Sequence, residues 1–536
     1  MRPSLPISPE SAATPRRLRA LHSPLARALL AGLILLAGGV QTAASQTSGD
    51  PDPHAATTQA AMTEAARQGP ESLRAFLHDM PKGADLHLHL TGAVYAETLL
   101  AEAAQDGLCV DTQAWKLVAA GHPGSCPAGQ LPASQLSQSQ YDAMIDALSM
   151  RSFVAHSGES GHDHFFAAFG RFAALDPSRH AGEWLAEITH RAALQNEQYL
   201  EVMHTPPFGH AISLSRQLGL NPDFAAMRKA LLAKGLDQDL QADRQALDQA
   251  LAQRGEIQHC GTAQADPGCQ VQLRFIYQIL RGAAPERVFA QTVLGFEAAR
   301  HDPRWVGINY VMPEDGYLSM RDYDLQMRML GYLHATYPEI HISLHAGELA
   351  EGLVAPEGLR FHIREAVEQA HAERIGHGVD LMDEDHPQAL LQELARRHVL
   401  VEINLTSNDV ILGVTGSRHP LHAYLAAQVP TALSTDDEGV SRIDLTHEYV
   451  KAVEEQGMDY LQLKRMARNS LEHSFLPGRS LWAQPDQYQR LAGPCEGAAA
   501  DRAAPAACRR WLAANPKADQ QWQLEQRFVH FEAAQR

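Results

Sequence analysis

The chain has 536 residues, 45 Lys and Arg against 63 Asp and Glu, and a formal net charge of −18. At 45% hydrophobic and 20% charged residues it has the composition of a globular protein with a sizeable core. The length excludes a small disulfide or zinc-finger module, and the acidic balance argues against a nucleic-acid binder, which needs a basic surface to displace phosphate counterions.

Residues 1–45 have the layout of a secretory signal peptide. Arg16, Arg17, Arg19 and Arg27 precede an apolar run, Ala28 to Val40, and Ala43 and Ser45 stand at the −3 and −1 positions of a cut before Gln46. The run of 13 falls short of the ~18 residues of a membrane span. The competing reading is an uncleaved anchor. Export makes the protein periplasmic or secreted, with no stable membrane partner after cleavage. Residues 46–81 form an N-terminal segment.

Eight β-rich runs follow: Ala84–Leu90, Tyr199–His204, Gln270–Leu280, Trp305–Val311, Ile340–His345, Arg374–Val379, Leu400–Leu405 and Thr431–Thr435. Helix-compatible stretches lie between them, among them Ser178–Gln198 and Leu359–Ala372. Strands alternating with helices imply an α/β protein with a parallel sheet, and eight is the number that closes a TIM-type (β/α)8 barrel. The barrel segment, residues 82–476, is longer than such a domain needs. The surplus lies in insertions at about 100–161 and 206–270, the second with a charged helical stretch at Leu236–Arg254. Residues 477–536 read as a Pro/Ala-rich C-terminal extension.

In an oxidising compartment the six cysteines fall into three local pairs, 109–126, 260–269 and 495–508, with 16, 8 and 12 residues between partners. Six cysteines formally allow ~15 connectivities, and free thiols are the alternative. None stands in a C-x-x-C, so a thiolate zinc site is not indicated.

Barrel chemistry sits where the strands end. The first run ends in His87-Leu88-His89, whose imidazoles share one face of a strand. The fifth ends in His345-Ala346-Gly347-Glu348, the sixth in His377-Gly378 and the eighth in Asp436-Asp437. Each has a plain structural alternative: a hydrogen-bonded core histidine, a carboxylate at a helix start, an aspartate cap. Their joint occurrence is what those alternatives explain poorly. Three His and one Asp without thiolate suit a catalytic zinc with an open position, leaving a carboxylate and a fourth His for proton transfer.

In these motifs, together with Tyr199-Leu200-Glu201-Val202, Ile375-Gly376-His377-Gly378, Ser434-Thr435-Asp436-Asp437 and Asn469-Ser470-Leu471-Glu472-His473-Ser474-Phe475, the chain resembles the adenosine deaminases. These are metal-dependent amidohydrolase-like barrels, and the likeness is greatest to their secreted members. It runs from about Lys82 to Gly478 with gaps at the insertions. It implies one zinc per chain on His87, His89, His345 and Asp436. It implies that Glu348 protonates N1 of the purine, that His377 orients and deprotonates the attacking water, and that Asp437 bonds N7. The implied reaction is hydrolytic deamination of adenosine, and by extension deoxyadenosine, to inosine and ammonia, with a purine nucleoside as the small-molecule partner. His89 would also border the substrate. Phe165, Phe166 and Phe169 resemble an apolar lid over the purine, and at helical spacing they equally form a core stripe. Two positions depart from the family. Thr91 stands where many members place an Asp for the ribose, and Met312 stands where a Gly offers its backbone N–H. The alternatives are therefore another 6-aminopurine or N6-substituted purine as substrate, or a secreted binding or growth-factor-like relative without chemistry.

Overall fold

The computed structural model describes residues 53–122 and 125–535. The proposed signal peptide lies outside the described residues. Among these residues no helix is long and apolar enough to cross a membrane.

In chain order the strands are β1 (Gly83–His89), β2 (Cys109–Asp111), β3 (Lys116–Val118), β4 (Gln130–Pro132), β5 (Glu197–His204), β6 (Gln272–Leu280), β7 (Trp305–Val311), β8 (His341–Ala346), β9 (Arg374–His377), β10 (Leu400–Ile403) and β11 (Thr431–Leu433). Eight of them pair in the order β1-β5-β6-β7-β8-β9-β10-β11, every pairing parallel. All eight expected runs are strands of this sheet. They read as near-continuous apolar segments because both faces are covered, one by the barrel interior and one by helices.

Closure falls at the chemistry. Leu88 bridges Asp436 in parallel, with His89 N–H donating to Asp436 O at 3.0 Å and Asp436 N–H to His87 O at 2.8 Å. Asp85 ties the same seam by accepting the Thr435 hydroxyl at 2.6 Å and the His87 amide at 3.0 Å. The protein is a (β/α)8 barrel.

The expected helix Ser178–Gln198 forms over Pro177–Leu194, capped by Asp176, whose side chain accepts from the Ser178 amide. It stops where Asn196 takes a φ of 63°, so that Glu197 can begin β5. The stretch Leu359–Ala372 differs more. Only His362–Glu368 is α-helical, because a 3-10 turn at Pro356–Leu359 is separated from it by Phe361 at φ −152°.

Two segments lie outside the barrel order. Between β1 and β5 the short strands form an antiparallel sheet, β3-β2-β4, beside the Cys109–Cys126 disulfide. Between β5 and β6 run helices Gly209–Leu218, Phe224–Ala233 and Asp237–Ile257, followed by Cys260–Cys269.

The C-terminal residues are more integrated than their composition suggests. A separate small core of Leu481, Trp482, Tyr488 and Trp522 surrounds the Cys495–Cys508 disulfide. Helix Pro516–Ala534 then packs beneath the barrel. Gln198 donates to Gln520 O at 2.8 Å, and Gln520 donates to Gln272 at 2.8 Å, both at strand starts. Phe528 and Phe531 of this helix join the main core.

Candidate active site

At the mouth of the barrel, where β1 and β8 end, three imidazoles converge. His87 Nε2 and His89 Nε2 each lie 3.2 Å from His345 Nε2. Asp436 Oδ1 is 3.1 Å from His89 Nε2 and 3.4 Å from His87 Nε2. Every ring has its other nitrogen engaged by an oxygen acceptor. His87 Nδ1 donates to Glu402 at 2.7 Å, His89 Nδ1 to Gln278 at 2.6 Å and His345 Nδ1 to Asn309 at 2.7 Å. With the protons held on Nδ1, three Nε2 lone pairs and a carboxylate point at one another. A metal ion between them relieves the repulsion of such lone pairs, and outer-sphere acceptors of this kind fix a metal-ligating histidine. The residues present therefore fit a single divalent metal bound by His87, His89, His345 and Asp436. Ser407 donates its hydroxyl to Asp436 Oδ2 at 2.7 Å, leaving Oδ1 for the cluster.

Beneath the cluster a buried ion line holds Glu402. Arg374 lies 2.7 Å from Glu402 and 2.6 Å from Glu201, and all three side chains are fully buried. Glu201 also accepts from Tyr199 and from the Phe475 amide, and Phe475 lies under the Arg374 guanidinium at 3.9 Å. The motifs around Tyr199–Val202 and Asn469–Phe475 thus meet at one charge.

Above the cluster opens a cavity of about 340 Å³. Its lining includes His89, Thr91, Phe165, Phe166, Phe169, Met312, Glu348 and Asp437, so each residue expected to contact substrate borders the same space. Phe165 is fully buried while Phe166 and Phe169 are part-exposed, and the rings pack at 5.3 and 5.8 Å on helix Gly161–Phe172. The three therefore serve as core stripe and cavity wall at once. Met312 has a φ of 99°, a conformation that Gly adopts freely and a side chain does not, and its thioether packs against Gly282. Thr205, Leu280, Val311 and Pro313 complete the walls and were not expected from the sequence.

Two carboxyls that face the cavity, Glu348 and Asp437, are shifted toward their neutral forms. Burial, reinforced by the charge of Asp436, pushes the Glu348 carboxyl well above the usual range. Burial and the same neighbour push Asp437 up to about 8. Burial pushes His377 down to about 4, which leaves its ring neutral. His377 does not line the cavity directly. Its Nδ1 meets the Asn408 amide at 2.9 Å, and its Nε2 lies 3.7 Å from Glu348. Asp437 Oδ1 is buried without a hydrogen-bond partner among the described residues. Gly92 makes room for it, since a Cβ there would fall 1.6 Å from that oxygen.

Gln278, Asn309, Glu402, Ser407, Asn408 and Arg374 were not singled out from the sequence. Glu402 carried the one usable signal, a charge inside the apolar run Leu400–Ile403. The others act through partners on distant strands.

Comparison with known proteins agrees with this geometry. The sequence matches the adenosine deaminase family over residues 142–481. Adenosine deaminases of Escherichia coli strains SE11 and O1:K1 / APEC are each 36% identical over 137 residues, which is 25% of this chain and 38% of each relative. Among solved structures, Arabidopsis ADAL complexed with IMP has a TM-score of 0.50 at 21% identity, covering 74% of this chain and 93% of its own. An amidohydrolase from Burkholderia ambifaria with bound Zn has a TM-score of 0.50 at 18% identity, covering 86% and 95%. These two are alike in fold. With the match extending over most of the barrel, the chain belongs to the adenosine deaminase family.

Proposed function

We propose that the protein is a zinc-dependent hydrolase that deaminates adenosine, and deoxyadenosine with it, to inosine and ammonia. The observation that carries this reading is the meeting of His87, His89, His345 and Asp436 with Glu348 and Asp437 at one cavity. The donor set of three imidazoles and a carboxylate suits zinc, which when bound would bring the pKa of a water down toward ~7.

The protein groups then divide the work. Glu348, neutral through burial, has a proton to give to N1 of the purine, which makes C6 more electrophilic as attack occurs. His377, neutral and held by Asn408, orients the attacking water and takes its proton. Asp437, pushed up to about 8, carries a proton at neutral pH and lines the cavity, so it suits N7, an acceptor. Phe165, Phe166 and Phe169 cover the purine and keep bulk water out. No Lys or Arg lines the cavity among the described residues, which favours a nucleoside over a nucleotide. A second reading keeps the reaction and changes the substrate to another 6-aminopurine or N6-substituted purine. The observations favouring it are Thr91 and Met312, which replace the family's usual ribose and purine contacts.

Ammonia release and loss of the 6-amino absorbance, measured on adenosine, deoxyadenosine, adenine, AMP and an N6-substituted nucleoside, test both readings. Adenosine is expected to exceed adenine and AMP by a wide margin in kcat/KM. Comparable values for adenine and adenosine would show that the ribose is not read. No ammonia from any of them would favour the secreted binding relative. We further propose export through residues 1–45. The three short-loop disulfides support an oxidising compartment, and N-terminal sequencing of the mature protein, expected to begin at Gln46, tests it.

A further inference from the structure

The loops after β7 and β8 are joined by a buried carboxylate to which no role has been assigned above. Glu314 lies two residues beyond Met312 and is 1% exposed. Its Oε1 accepts the Gly347 N–H at 3.1 Å and its Oε2 accepts the Glu348 N–H at 2.8 Å. The ring Nδ1 of His362, on the helix that follows this loop, donates to Oε1 at 2.5 Å.

Two successive amides aimed at one anion form a nest, a geometry that needs a left-handed residue between extended or helical neighbours. Gly347 supplies it with a φ of 75°. A side chain there would also collide with Asp380 Oδ1 at 2.5 Å and Ile363 at 2.9 Å. Burial alone would push Glu314 up, but the His362 hydrogen bond and charge, the Arg281 charge and the Glu348 amide bring it down to about 2, so the nest holds an ionised carboxylate. The consequence is mechanical. The Glu348 side chain lines the cavity with the neutral His377 ring, Nε2 3.7 Å away, beyond hydrogen-bond distance, so its aim is set by its backbone rather than by side-chain hydrogen bonds. That backbone is pinned by Glu314.

We propose that Glu314 is a positioning residue: by filling the nest at Gly347–Glu348 it fixes the direction in which Glu348 presents its carboxyl to the substrate. The proposal rests on the reading that Glu348 is the proton donor. Because Glu314 follows Met312 and Pro313 directly, it also couples one cavity wall to the donor loop.

The test uses the full-length zinc enzyme with adenosine as probe. Glu314→Gln keeps the shape but turns an NH2 group toward one of the two amides. It is expected to lower kcat on the order of 10²-fold, the cost of a misplaced group, with KM and zinc content unchanged. Hydrogen exchange read by mass spectrometry should show faster exchange in the peptide containing Gly347 and Glu348. Glu314→Gln in a Glu348→Gln background should add no further loss, because both changes remove one action. If Glu314→Gln fails to fold, Glu314→Asp carries the test. It keeps the charge, moves it by one methylene, and should also lower kcat at unchanged zinc and KM.

Wild-type kcat in both Glu314 variants, unchanged exchange at the nest, or additive losses in the double variant would each overturn the proposal. Normal turnover in Glu348→Gln alone would instead overturn the donor reading, and the catalytic role of Glu314 with it. The exchange measurement decides the anchoring of the loop separately from that outcome.

Discussion

Two sets of buried ionisable groups face each other across the histidine cluster, and they are built on opposite rules. Below it, Glu201, Arg374 and Glu402 are fully buried and fully paired, with opposite charges in contact at 2.6 and 2.7 Å. Above it, Glu348 and Asp437 are buried in a cavity that no Lys or Arg lines among the described residues, and burial pushes both toward the protonated form. The paired set has its charges matched in contact and can only hold a neighbour still. The unpaired set is pushed toward its neutral form and lines the cavity. A low-dielectric interior thus produces rigidity where charges are matched and acid–base chemistry where they are not.

The contrast yields predictions of decreasing size. Removing a ligand from between the two sets, as His87→Ala or Asp436→Ala, should abolish stoichiometric zinc and lower turnover further than any change below. Elemental analysis showing full zinc in both would remove the site. In the upper set, Glu348→Gln should keep zinc and purine binding, leave Tm almost unchanged and lower kcat by ~10²–10⁴. A folded, zinc-replete variant with near-normal turnover would take Glu348 out of the mechanism. In the lower set, Arg374→Met leaves two carboxylates buried without their cation. It should cost ~3–5 kcal/mol in denaturant unfolding and weaken zinc ~10- to 100-fold through the loosened Glu402–His87 contact. A stable Arg374→Met variant with normal zinc affinity would break the division between the sets.

The two smallest effects serve as controls outside it. Replacing Cys495 and Cys508 together by Ser should lose ~2–3 kcal/mol in the chain-entropy picture, with kcat and zinc unchanged because this pair sits in the separate C-terminal core. Met312→Gly relieves ~1–3 kcal/mol of left-handed strain against ~0.5–1 kcal/mol of added backbone freedom. Stability should therefore move little, while the ratio of kcat/KM for an N6-substituted nucleoside to that for adenosine changes. An unchanged ratio would remove Met312 from substrate discrimination.

The degree to which these regions could be read from the chain differs for a physical reason. His87 and His89 declared themselves because a strand repeats every two residues and puts both rings on one face. His345, Glu348, His377, Asp436 and Asp437 stood out because polar groups closed otherwise apolar strand runs. Gln278 and Asn309 are ordinary polar residues within strands, and only the barrel register makes them acceptors for His89 and His345. Phe165, Phe166 and Phe169 stayed ambiguous because a helix face beside a cavity obeys the same periodicity as one in a core. The residues after Pro477 looked like an appendage, yet Gln520 bonds the starts of two barrel strands.

Local pattern was enough to determine the eight strands, the fold class, the three cysteine pairs and the polar side chains that end the strands. Each follows from short-range rules of periodicity, spacing and residue type. Tertiary structure alone decided the rest. His377 and Asp436 have φ values of 70° and 60°, so strand alternation no longer dictates where they point, and closure of β1 against Asp436 puts the last ligand in place. The proton positions on the three imidazoles, the neutral state of Glu348 and Asp437, and the nest around Glu314 all depend on groups far apart in sequence. They depend as well on how completely water is excluded around them, and that exclusion exists only once the barrel has closed.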